Sequence, residues 1–253
     1  MIEKSGKERA LILVKALPHV GKTTGETVCC AGVTLDRQWR RQYPIHFRRL
    51  QDQKFGRWQW IEYDWVKPSD DRRKESRRVQ EHTIKTLHDI PVKDRAGFLG
   101  PLVLQSTDQA KQRGDTLALI RPVESKFYSK VKTADQLSAE RAAYKAAASQ
   151  QSFFDKELAA LEPCPYQFHF DYKTADGKPH KATCDDWETS AMFYNLEKKY
   201  GTSHALDRMS TVFNEEYPKN GMVFAMGTHS QRPDQWLMVG VIRLDESKQE
   251  ALL

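Results

Sequence analysis

Residues 28–66 read VCCAGVTLDRQWRRQYPIHFRRLQDQKFGRWQWIEYDWV. The alternation inside this stretch decides the fold. Over 58–66, Trp58, Trp60, Glu62 and Asp64 fall on one side and Gln59, Ile61, Tyr63 and Trp65 on the other, because successive strand residues point to opposite faces. One side is largely apolar, which is a strand signature. Residues 27–33 (TVCCAGV) read as a buried strand and 35–38 as a turn. Residues 39–43 read as an extended run up to Pro44, which keeps the residue before it out of the helical region. The stretch also holds four of the six tryptophans and a dense set of arginines: Arg37, Arg40, Arg41, Arg48, Arg49 and Arg57. Rings interleaved with guanidiniums suit the stacking of bases and the neutralising of phosphates. The same alternation also lets some rings fill a barrel while the arginines face water. The expectation is a β-barrel that binds nucleic acid rather than an enzyme.

Charge is divided unevenly around this stretch. Residues 1–125 carry 24 Lys and Arg against 16 Asp and Glu, while residues 126–253 carry 16 against 18. Within 37–78 alone there are 13 basic and 6 acidic residues. A basic segment in a near-neutral chain suggests a surface that faces a polyanion, although a charged run can also be plain solvated surface. The apolar run near the N-terminus is short and broken by Lys15, unlike a signal peptide. No run of about 18 apolar residues offers a membrane span. The expected location is cytoplasmic, with four reduced cysteines; adjacent Cys29 and Cys30 cannot share a relaxed disulfide.

Further along, residues 10–16 read as a strand, 77–87 as a helical segment, and 101–105 and 116–122 as short strands. Residues 134–161 are rich in Ala, Glu, Gln and Lys without Pro or Gly, which favours helix. Residues 166–172 and 180–184 read as a hairpin around Asp176-Gly177. Asp185 or Asp186 caps a helix that ends at Gly201. A second helix runs from Ser203 to a stop before Pro218, and 221–228 and 236–244 form a closing strand pair.

Several motifs carry possible chemistry. ALPHVGKT at 16–23 fits a relaxed phosphate-loop pattern, but that loop needs a following helix, and TVCCAGV reads as strand. Cys164, His169, His180 and Cys184 could meet across a hairpin as zinc ligands; a satisfied histidine and reduced thiols explain the same residues. Asp171, Asp185, Asp186 and Glu188 could hold Mg²⁺ for a nuclease, or serve as helix caps and dipole partners. Gly227-Thr228-His229, after a strand, could touch a ligand. No cofactor is expected.

Cys30-Ala31-Gly32-Val33, then Trp39-Arg40-Arg41-Gln42-Tyr43-Pro44-Ile45, Phe47-Arg48 and Trp60-Ile61-Glu62 form an extended run. This run resembles that of a group of prokaryotic proteins described as having a dual OB-like domain. Asp186-Trp187-Glu188, residues 227–229 and Trp236 fit the long form of that group. The resemblance implies a small barrel suited to single-stranded or structured DNA or RNA, in mobile-element or defence settings. It transfers no catalytic residue. The combined expectation is an α+β protein. It has an N-terminal OB-like β-barrel (1–125), a helical connector (126–162) and a smaller C-terminal domain of β-hairpins and two helices (163–253). The chain would be a recognition or accessory subunit of a defence or genome-maintenance system, with nucleic acid and a larger effector protein or complex as partners. Arg37, Arg40, Arg41, Arg48, Arg49 and Arg57 would meet phosphates, and Trp39, Tyr43 or Trp58 would stack on bases. A metal-dependent nuclease and a protein-interaction module stay open as alternatives.

Overall fold

Alternation sorts β1 (Ser5–Lys15) into two sets of side chains: Ala10 and Ile12 enter one core, while Leu11 and Leu13 enter another. The structure is a computed structural model that describes residues 4–21, 25–151, 160–229 and 232–246. A short β2 (His19–Gly21) leads into β3 (Gly25–Val33), β4 (Trp39–Ile45), β5 (Gln59–Val66), β6 (Ser76–Val79) and β7 (Lys85–Asp89). β1 pairs with β3, β3 with β4, β4 with β6, β6 with β5, and β5 closes back on β1. All but the β4–β6 pairing are antiparallel. Taken in chain order, these five strands run 1-2-3-5-4 around a closed Greek-key barrel of the OB-like kind. β2 extends β3 as a hairpin, and β7 flanks β5.

Ile61, Tyr63 and Trp65 of β5 fill the barrel with Ile12, Val28, Cys30 and Ile45. They are the inward set that the alternation over 58–66 implied. Tyr63 is fully buried, and its hydroxyl accepts a hydrogen bond from Gln42 at 3.1 Å, so this polar group is paired as burial demands. The segment read as helix over 77–87 is instead β6, a single 3₁₀ turn (Glu81–Thr83) and β7. Pairing of Arg77 with Gln42 on the neighbouring strand β4 overrides the local helix preference.

The second unit follows α1 (Val92–Leu99). Its elements are β8 (Val103–Leu104), α2 (Thr107–Gln112), β9 (Leu117–Ile120), β10 (Glu124–Val131), α3 (Ala134–Gln151), β11 (Tyr166–Lys173) and β12 (Pro179–Thr183). These are followed by α4 (Trp187–Tyr200), α5 (Thr202–Thr211), a π-helical turn (Val212–Glu216), α6 (Tyr217–Lys219), β13 (Met222–His229) and β14 (Arg232–Arg243). One sheet runs β14-β13-β9-β8 and another β10-β11-β12. Strands from 103–131, which the sequence placed with the barrel and connector, thus pair with C-terminal strands: Leu119 lies opposite Ala225, and Phe127 opposite Phe170. A four-residue apolar run says that it is buried, but not which sheet it joins.

Phe127, Phe168, Phe170, Phe193, Phe213 and Phe224 form the second core, with Phe127 and Phe213 ring centroids 4.9 Å apart. Each such ring taken fully out of water contributes roughly 1.5–3 kcal/mol. α4 starts at Asp186, whose carboxylate accepts the Glu188 backbone N–H, and ends at Gly201 with φ 83°, as the capping residues foretold. Pro218 falls in the first turn of α6 rather than beyond the helix, a position where its missing N–H costs nothing. α3 packs on β3, and the Tyr144 hydroxyl donates to the Pro18 carbonyl at 3.1 Å. The remainder of the expected helix, 152–159, lies outside the described residues. No helix among the described residues is long and apolar enough to cross a membrane.

The barrel's outer face is not left to solvent. Leu11, Leu13, Ala31 and Val33 pack against Leu117, Leu119, Val223 and Ala225 in a third core shared by the two units. This buries β3 on both faces. Gly32 on β3 faces the β1 backbone closely, and a Cβ there would overlap the Leu11 carbonyl oxygen. Gly32→Ala is therefore expected to lower unfolding free energy by about 1–3 kcal/mol, read as a lower midpoint in urea denaturation at unchanged slope.

Candidate nucleic-acid interface

An OB-type barrel takes ligands on its second and third strands and on the loops that join strands 1–2 and 4–5. Here those parts are β3, β4, the segment around β2, and residues 67–75. They border a groove of about 370 Å³ that β13 and β14 close from the other side. Val14, Ala31, Leu117 and Val239 give it apolar walls, and Arg41, Tyr43, His19 and Arg73 bring polar groups to it.

Arg41 and Tyr43 reach the groove together because they sit two apart on β4. The Arg41 guanidinium is buried: its Nη2 donates to the Thr116 carbonyl at 3.2 Å and lies 3.6 Å from Glu75. Among the described residues its Nε has no hydrogen-bond partner, nor does the buried Thr228 hydroxyl. A side chain on Gly227 would press on Leu117 and approach the Arg41 guanidinium. Arg73 donates from Nη1 to the Thr228 carbonyl at 2.8 Å and grips Asp71 at 2.6 Å. Burial would raise the Asp71 pKa, but hydrogen bonds from Arg73 and Ser76 outweigh it and hold the carboxyl down at about 2. Tyr43 is 41% exposed. It stands between this groove and an adjoining hollow of about 120 Å³ lined by Arg41, Arg73, Arg77 and Arg78. Residues 70–78 carry five cations against three carboxylates, and Arg72, Lys74 and Arg78 are exposed.

The other residues expected at the interface lie elsewhere. Arg37, Trp39 and Arg40 border a separate pocket of about 250 Å³ with Lys74 and Arg113. The Arg37 side chain donates to the Phe98 carbonyl, and Arg40 pairs with Glu8 at 2.5 Å. Arg48 is paired with Glu26 at 2.9 Å on the turn after β4, where Arg49 is half-buried. Arg57 and Trp58 line a third cavity, with Arg57 held by Asp186 at 2.7 Å. Trp39 and Trp58 pack on the shared core, which leaves Tyr43 as the exposed ring of the three. Arg73 and His19 were missed as site residues. The run DDRRKESRR between two strands was the available signal for Arg73, while His19 sits inside the phosphate-loop pattern.

That pattern has no helix behind it, since β3 begins at Gly25; Lys22 to Thr24 lie outside the described residues. The four carboxylates of the nuclease reading are dispersed among separate partners. Asp171 accepts from the Tyr128 hydroxyl, Asp185 meets His19, Asp186 meets Arg57, and Glu188 meets Lys15. Among the described residues, no three His, Cys, Asp or Glu side chains are grouped to hold a metal. His169 and His180 bond to Thr183 and Thr174, while Cys164 and Cys184 are buried.

His19 Nε2 lies 3.3 Å from Asp185. This hydrogen bond raises the His19 pKa and outweighs partial burial, which lowers it. With a raised folded value, the contact contributes fully below the ordinary histidine midpoint of about 6.5. It fades as pH climbs through the raised one. An NMR titration should place the His19 midpoint above 6.5 and bring it down in Asp185→Asn; an unchanged midpoint in that variant would count against the pairing.

Two family models match the chain: "Domain of unknown function (DUF8758)" over residues 6–99 and "Domain of unknown function (DUF8757)" over residues 103–253. The break between them falls between α1 and β8. Comparison with curated proteins gives no match. Among solved structures, the chain is similar to the "Crystal structure of the tetrameric p202 HIN2" at 9% identity and a TM-score of 0.32, covering 94% of this chain and 90% of that one. Because the second family model spans more than half of the chain, the protein belongs to the family described as Domain of unknown function (DUF8757).

Proposed function

We propose that this protein binds a single-stranded or structured nucleic acid across β3, β4 and the loop 67–75. The observation that carries this reading is the exposed Tyr43 ring, set between two arginine-bordered hollows on the face where an OB-like barrel binds. A strand laid across this face would stack one base on Tyr43 and pass its phosphates along the exposed Arg72, with Arg73 and Arg78 shared between the strand and Asp71 and Asp70. The unpaired Arg41 Nε and Thr228 hydroxyl leave hydrogen-bonding capacity beneath that path. The ligand track is therefore shorter than the full row of arginines in 37–57, since Arg37 and Arg40 border one separate pocket and Arg57 another. An accessory role beside a larger effector protein in a defence or genome-maintenance system, with a dual-OB kinship, belongs to the same proposal.

Fluorescence anisotropy with single- and double-stranded DNA and RNA at two salt concentrations tests it. Affinity should fall with salt, with a log–log slope of about −0.7 per phosphate neutralised on a single strand. Tyr43→Ala should weaken binding by about 1–3 kcal/mol without altering that slope, and Arg78→Ala should make the slope shallower. No binding to any of the four ligands, or binding indifferent to salt, would overturn the proposal.

A further inference from the structure

A cleft of about 700 Å³, larger than the barrel groove, lies between the barrel, α1, α4 and β14. That is within the range of roughly 300–1,000 Å³ typical of small-molecule sites. Three independent irregularities converge on it. Trp58 holds φ 75°, a left-handed conformation that is a true outlier for a bulky side chain and that clusters at ligand sites. The π-helical turn Val212–Glu216 puts Phe213 into the wall and is followed directly by Tyr217, another lining residue; such turns are frequent at functional sites. Arg57 and Arg95, both lining it, each keep a buried Nε with no hydrogen-bond partner among the described residues.

The lining also has a readable chemistry. Lys15, Arg57, Arg95 and Arg243 face Asp186, Glu188 and Asp245. The carboxylates are engaged: Asp186 with Arg57 at 2.7 Å, Glu188 with Lys15 at 2.7 Å, and Asp245 with Arg95 at 2.9 Å and Arg243 at 2.5 Å. One cation is left in excess, so the cleft favours an anion of low charge rather than a triphosphate. The Arg95 guanidinium lies 4.3 Å from the Trp58 ring centroid, and Arg243 lies 5.6 Å from that of Tyr217. Flat, polarisable surfaces therefore sit beside positive charge, and the exposed Asn195 amide stands at the rim. An amide of this kind can pair with a base edge.

We infer that this cleft is a binding site for a nucleoside monophosphate. Its base lies against Trp58 and Tyr217, and its phosphate meets Arg95 and Arg243. The site is separate from the barrel groove and does not rest on the nucleic-acid reading.

Titration of the full chain with AMP, GMP, CMP and UMP, followed by tryptophan fluorescence and calorimetry with inorganic phosphate as the comparison, tests the assignment. At least one nucleotide should bind with a Kd below about 1 mM and raise the melting temperature. Arg95→Gln should weaken it at least about tenfold. Because Arg95→Gln also breaks the Asp245 pair, Ala191→Trp serves as the second variant: it narrows the cleft from α4 without removing an ion pair, and should weaken binding to the same degree while melting like the parent. Oligonucleotide affinity should be unchanged in Ala191→Trp. Failure of all four nucleotides to bind, phosphate binding as tightly as the nucleotides, or undiminished binding in Ala191→Trp would each overturn the assignment.

Discussion

Of the ion pairs that cross between the two halves of this protein, Arg57–Asp186 is buried more deeply than Lys15–Glu188 or Arg95–Asp245. Arg57, just ahead of β5, sends both terminal nitrogens into the second unit: Nη2 reaches both Asp186 oxygens at 2.7 Å, and Nη1 reaches the Val241 carbonyl at 2.7 Å. Asp186 returns the contact by accepting the Val241 backbone N–H at 2.9 Å while also capping α4. Burial alone would lower the Arg57 pKa, but the neighbouring Asp186 charge outweighs it and holds the guanidinium charged. A pair taken out of water at this depth adds little net stability against well-packed apolar residues, yet leaving either partner alone is costly. In this arrangement of barrel, helix α4 and strand β14, the guanidinium, the carboxylate and both Val241 backbone groups are satisfied together. Beside it, Ala16 bridges to Asp186 and the Leu17 N–H donates to the Asp185 carbonyl, which extends the same seam along the backbone.

This fastening decides which part of the barrel stays open. With β9, β13 and β14 seated on the outer side of β1 and β3, much of the surface that an isolated barrel would offer becomes interior. What remains is the far end of β4, where Tyr43 emerges, and the loop that follows β5. The second unit does not simply cover the face. Gly227, which lacks a side chain to crowd Arg41, and Thr228, whose carbonyl takes Arg73, form the opposite wall of the groove. The groove is thus a property of the two units together.

Elements whose partners lie nearby in sequence, or whose ends are marked by special residues, could be read from the chain. The inward set Ile61, Tyr63 and Trp65, the Asp176-Gly177 hairpin and the Asp186 to Gly201 limits of α4 all follow from strict alternation, a turn residue or a cap. Pairings over long separations could not be read. Residues 117–120 show only that they are apolar, and their partners at 224–227 lie more than a hundred residues away. The segment 77–87 misled because β6 is held by a parallel partner on β4, a contact with no local signature. On β4 the sequence could not tell which of the expected residues point outward. Of the three rings it offered, Tyr43 is exposed, while Trp39 and Trp58 join the shared core.

The fate of the arginines shows why a charged run is a weak guide to a surface. Residues 37–78 hold more than twice as many cations as carboxylates, so pairing within the run cannot neutralise it. The carboxylates that take Arg40, Arg48 and Arg57 come from outside it, as Glu8, Glu26 and Asp186. These pairs tie β4, its following turn and the strand entry to distant parts of the chain, and the arginines so used give up most of their attraction for a mobile anion. The charge left to face solvent collects on residues 70–78, where Asp70, Asp71 and Asp115 meet Arg78, Arg73 and Lys74 while Arg72 stays exposed. Field at the surface is set by this residue of unspent charge rather than by the density of arginine along the sequence. It lies beside the one exposed ring on the barrel's open face.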